Sequence, residues 1–154
     1  MGIAFTSAIL TNNEALVVHA NDTGQYLALS ELRGQTVGAV TGTAFAGLFE
    51  DAGVTNITAY PNPTDGLQAL ANDEVKAFLL SALVIGYQNR VAGMWPQLRI
   101  VDTYRPVFNS YSALGVRSGD VDLLGHLQAA LEGLKADETF AAMIERWALP
   151  APPF

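Results

Sequence analysis

Residues 32–49 read LRGQTVGAVTGTAFAGLF. A short β-branched strand pattern over 36–40 runs into Thr41-Gly42-Thr43, and an apolar stretch of helical spacing follows, with Phe45, Leu48 and Phe49 on one face. A strand that delivers a glycine turn into a helix start points several unpaired backbone N–H groups, and the positive end of the helix dipole, at one place. That place suits a carboxylate or another small anion.

Outward from this stretch, strand patterns fall at 15–19, 36–40, 57–60, 76–80, 98–101 and 112–117, most of them short, rich in β-branched residues and bounded by Gly, Asn, Asp or Pro. Helical patterns lie between them at 44–52, 64–72 and 82–93. Alternation of strand and helix from Thr36 onward predicts an α/β fold, a mostly parallel sheet with helices on both faces. Ligands of such sheets sit at the carboxyl ends of the strands, where Gly42-Thr43 lies. After Arg117 the pattern turns helical. Asp120 is placed to cap a helix whose stripe is Leu123, Leu124, Leu127, Leu131 and Leu134, and Asp137 to cap a second with Phe140, Met143, Ile144 and Trp147 at core spacing. The ending at 150–154, rich in proline, reads as a tail.

The 154 residues, half of them hydrophobic, suffice for a real core. A net charge of −7 with eight Lys plus Arg lacks the basic footprint that nucleic acid or an anionic membrane demands. There are no cysteines, so disulfides, zinc-thiolate sites and cysteine nucleophiles are excluded. No apolar run is long enough for a membrane-spanning helix, and the first twenty residues do not read as a signal peptide. No GxSxG, HExxH or Walker loop occurs, and SGDVD at 118–122 lacks the remaining ligands of a calcium loop. No enzyme activity, metal or cofactor is expected. His19 and His126 read as packed or solvated residues, and Tyr60, Tyr87, Trp95, Tyr104 and Phe108 as core or surface rather than a ligand cleft.

Taken together, four pieces in order resemble the extracytoplasmic solute-binding proteins of the polar amino acid type, the ligand-capturing partners of ABC importers. They are Phe5-Thr6 followed by residues 14–18, the stretch 32–43, residues 66–81, and Tyr111 to Asp120 continuing to Glu145-Arg146-Trp147. The resemblance implies two lobes that clamp a ligand, with the chain crossing between them near 15–20 and 111–117. It implies residues 1–20 as leading segment and crossing strand, 20–110 as an α/β ligand-binding lobe, and 111–149 as return strand and C-terminal helices. Most of the family's first lobe has no counterpart here. The leucine stripe and the Phe140 to Trp147 face would then be left to bury elsewhere, which predicts a homo-oligomer. An ABC permease as partner and a periplasmic or extracytoplasmic location are implied by resemblance alone.

In the family the Gly-Thr step binds the ligand's carboxylate, which the resemblance carries here to Thr41, Gly42, Thr43 and Ala44. The bland alternative is that Gly42 makes a turn and Thr43 caps the helix. Ser81 stands where the family has an Asp that neutralises the ligand's ammonium, or else caps the helix from Ala82. Lys76 replaces another familiar Asp. An ammonium buried without a carboxylate is costly, which turns the expectation from ordinary amino acids toward an organic acid or a neutral polar solute. The competing expectation is an interaction module that binds no ligand and dimerises through its C-terminal helices.

Overall fold

The computed structural model describes residues 2–147 and Leu149. The expected tail at 150–154 lies outside the described residues. Strands are β1 (Ile3–Phe5), β2 (Leu10–Thr11), β3 (Glu14–His19), β4 (Val37–Val40), β5 (Ile57–Tyr60), β6 (Ala77–Ser81), β7 (Leu98–Ile100), β8 (Tyr111–Ser112) and β9 (Gly115–Arg117). Helices are α1 (Phe45–Asp51), α2 (Pro63–Ala71), α3 (Ala82–Gly86), α4 (Val121–Ala136) and α5 (Glu138–Arg146). The described residues form two compact units, one of residues 13–108 and one of the described residues on either side of it.

In the first unit the sheet order is β5-β4-β6-β3-β7. β4 pairs in parallel with β5 and with β6, whereas β3 is antiparallel to both β6 and β7. Four of the five strands therefore point one way. This is the expected mostly parallel α/β sheet, with β3 as its reversed member.

Alternation along the inner strands explains why both faces are covered. From β3, Leu16 and Val18 join Ala77 and Leu79 of β6 in one cluster, which Phe49 of α1 completes. Their neighbours Ala15 and Val17 join Phe78 and Leu80 in the other, with Leu67 and Leu70 of α2. The segment 15–20, expected near a crossing between lobes, is mostly strand β3 of this sheet. Ala15, Leu16, Val17 and Val18 are all buried.

Local chemistry fixes the helix starts. Asn62 accepts from the Asp65 N–H at 2.9 Å and Pro63 opens α2. Asp137 caps α5 through the Thr139 N–H at 2.9 Å. Asp120 occupies the cap position of α4, but its side chain makes no capping hydrogen bond. The expected helix over 82–93 is α-helical only to Gly86 and widens into a π-helical turn at Tyr87–Val91.

In the second unit the expected single strand over 112–117 is two. β8 pairs with β2 and β9 with β1, both antiparallel. Between the two ladders Leu114 is held by Thr6, whose N–H donates to the Leu114 carbonyl at 3.0 Å and whose hydroxyl accepts from the Leu114 N–H at 3.1 Å. Within the same unit Gln128 of α4 accepts from the Ser7 N–H at 2.8 Å, and the Lys135 ammonium donates to the Ser7 hydroxyl at 3.1 Å. Of the predicted stripes, Leu131 and Phe140 are buried, whereas Leu123, Leu134, Met143 and Trp147 are exposed.

Candidate functional site

Thr41 ends β4, and its N–H donates to the Tyr60 carbonyl at the end of β5, at 2.8 Å. Gly42 then takes φ +76°, a left-handed conformation that turns the chain into α1 and that side chains with a Cβ resist. A Cβ there would meet nothing within 4 Å, so the turn is open to solvent. The Thr43 hydroxyl donates to the Val40 carbonyl at 2.7 Å, which closes the turn. It does not cap α1: Ala44 holds the cap position and no side chain caps the helix. Residues 41–44 are exposed, and the first-turn N–H groups of α1 have no partner within the helix itself.

The strand register brings Ser81 to the same edge. The β4–β6 pairing ends with Ala39 opposite Leu79, and Thr41 and Ser81 each stand two residues beyond that last pair. By alternation both lie on the α1 side of the sheet. Ser81 precedes α3 but its side chain makes no capping hydrogen bond to it.

Lys76 lies elsewhere. It precedes β6, at the opposite edge of the sheet, where its ammonium meets Asp22 at 2.7 Å. Asp22 also accepts from the Gly24 N–H at 2.7 Å and the Tyr26 hydroxyl at 2.9 Å. Burial alone would push the Asp22 carboxyl up, but these hydrogen bonds outweigh it and hold the group below its ordinary range. The bond to Asp22 raises Lys76 in turn, against the opposing effect of burial. Arg99 secures the same loop through the Asp22 and Gly24 carbonyls at 2.7 and 2.6 Å. A cleft of about 530 Å³ opens beside this cluster, lined in part by His19, Gln35, Asp73 and Glu74. It shares no residue with the Thr41 to Ala44 turn.

Glu14 has no role in the sequence expectations beyond opening the family-like stretch 14–18. It is the Cα partner of Ser81 across β3 and β6, is 1% exposed, and faces no cation among its hydrogen-bond partners. Its carboxylate accepts from the Tyr104 hydroxyl at 2.8 Å, the Val107 N–H at 2.6 Å and the Phe108 N–H at 3.2 Å. Burial, reinforced by this carboxylate, pushes the Tyr104 hydroxyl far up. Of the aromatic residues, Trp95 and Tyr104 are core, Tyr87 and Phe108 are exposed, and Tyr60 stacks obliquely on Phe78 at 5.9 Å.

No family model matches the chain, and no curated protein matches it in sequence. Solved structures do. A mutant of ArgBP from T. maritima superposes with a TM-score of 0.75 at 22% identity, over 95% of this chain and 62% of that one. The GluR0 ligand-binding core complexed with L-glutamate gives 0.77 at 18% identity, over 95% and 64%. The second substrate-binding domain of a putative amino acid ABC transporter from Streptococcus pneumoniae gives 0.73 at 21%, over 94% and 64%. The chain thus spans a little under two thirds of the length of these structures. Together with the β5-β4-β6-β3-β7 sheet, they establish that this chain has the fold of the amino-acid-binding, periplasmic-binding-protein-like structures.

Proposed function

We propose that the chain is a non-enzymatic solute-binding module that holds a small carboxylate or polar solute at Thr41, Gly42, Thr43 and Ala44, with Ser81 beside them. The observation that supports this reading is the open, left-handed Gly42 turn, which follows β4 at the carboxyl edge of the parallel strands, the edge at which β6 ends in Ser81. The named similar structures favour it, since one is a complex with L-glutamate and another a substrate-binding domain of an amino acid transporter. A role in ABC transport or sensing, with a permease as partner and an extracytoplasmic location, follows from the same likeness. No helix among the described residues is long and apolar enough to cross a membrane.

The chemistry of the edge favours an organic acid or neutral polar solute over an ordinary amino acid. Glu14, the carboxylate next to Ser81 in the register, has its oxygens occupied by Tyr104, Val107 and Phe108. An ammonium at this edge would have to compete with those three donors for the Glu14 oxygens.

Thermal unfolding of the purified chain with a panel of succinate, acetate, L-glutamine, L-glutamate and L-arginine tests the reading. A solute at about 100 times its dissociation constant adds about 2.7 kcal/mol and raises the melting point. The reading expects succinate or acetate to do so, and a flat response to the whole panel contradicts it.

A second reading has its own support. Leu123, Leu134, Met143 and Trp147 remain exposed on α4 and α5 and beyond, and an apolar face of this kind suits an interface between copies of the chain. Light scattering tests it: self-association that Leu123→Glu abolishes supports an oligomer, and a monomer at all concentrations contradicts it.

A further inference from the structure

We infer that Glu14 is a latch: its buried carboxylate fastens the strap formed by residues 104–108, and without that acceptor the end of the strap comes free while the sheet stays intact. Burying a carboxylate with no cation is expensive unless hydrogen bonds take its place. Here three donors converge on it, and all three belong to one short segment far along the chain, Tyr104 at 90 residues, Val107 at 93 and Phe108 at 94. Two of them are backbone N–H groups of exposed residues, so the ladder of the sheet does not hold them.

The strap begins firmly. The Tyr104 N–H donates to the Val101 carbonyl at 3.2 Å and the Arg105 N–H to the Leu27 carbonyl at 3.1 Å. Its far end, Val107 and Phe108, meets the Glu14 oxygens. Phe108 is also the last residue of its unit, as Asn13, beside Glu14, is the first. One side chain therefore joins the two places at which the chain passes out of the five-stranded unit.

The strap also reaches α1. Val107 lines a groove of about 380 Å³ with Leu29 and with Leu48, Asp51 and Ala52 of α1 and its end. Release of Val107 would remove one wall of this groove. The device is independent of whether any solute binds at Gly42.

Amide hydrogen exchange resolved by residue tests the latch. In Glu14→Met, which keeps length but has no oxygen, the Val107 and Phe108 amides should exchange about tenfold to a hundredfold faster, as expected for loss of hydrogen bonds to a charged acceptor. The amides of Ala39 and Leu79 in the sheet should keep their rates. Glu14→Gln, which retains one carbonyl oxygen, should restore most of the protection. Unchanged rates at 107 and 108 in Glu14→Met, or an equal acceleration throughout the sheet, overturn the proposal. If Glu14→Met fails to fold, the unaltered chain decides. Matched protection of Val107 and Phe108, lost together and before that of Leu79, supports the latch; protection that is absent, or lost only with Leu79, overturns it.

Discussion

Gly66 of α2 lies against the ring of Phe78 on β6 so closely that a Cβ at position 66 would overlap the ring edge. Gly38 of β4 approaches the same ring from the neighbouring strand, where a Cβ would lie 2.5 Å from it. Phe78 is fully buried, so the ring has no way to yield. Gly66→Ala should therefore destabilise the unit by about 1–3 kcal/mol, as overpacking of a tight core does. Chemical denaturation measures it, and Phe78→Leu in the same chain should recover part of the loss.

The Asp22–Lys76 pair makes stability depend on pH in a defined direction. A carboxylate held below its unfolded pKa contributes stability above that value and loses it as the pH falls through the folded value. Asp22→Asn should cost about 1 kcal/mol at neutral pH, a modest figure because the Lys76 side chain is 41% exposed. The gap between variant and parent should close as the pH is taken below 3.8, the ordinary value for this carboxyl. Lys76 is raised above its ordinary 10.5, so its share persists through neutral pH and is lost only as the pH climbs past its folded value. Urea denaturation at a series of pH values checks both limits.

Gly42 separates backbone strain from contact. Its φ of +76° penalises any residue with a Cβ, yet the Cβ itself would meet nothing. Gly42→Ala should cost about 1 kcal/mol, and Gly42→Asn less, because Asn tolerates the left-handed region. Gly66→Ala, blocked by Phe78, should cost more than either, and thermal melts of the three variants order them.

Much of this was legible in the chain itself, for identifiable reasons. The strands with apolar residues on both faces, such as 15–18 and 77–80, announce burial by composition alone, and Gly42-Thr43 announces a turn into a helix. β1 and β2 were not legible, because two or three residues carry no period and their pairing depends on partners at least 100 positions away. Lys76 was read as a change to the solute edge because spacing does not reveal that residue 22 returns to meet it. Glu14 stood just before the expected strand at 15–19, with nothing nearby in sequence to mark it as buried. Its burial follows from the return of residues 104–108, which local sequence does not encode.

The most direct measurement of the solute reading is the set of backbone amide resonances of the chain titrated with succinate. The account predicts saturable shifts at Gly42, Thr43, Ala44 and Ser81, with the amides of His19, Asn21 and Lys76 at the opposite edge unmoved. No shift at residues 41–44, or shifts gathered instead around His19 and Lys76, would contradict it.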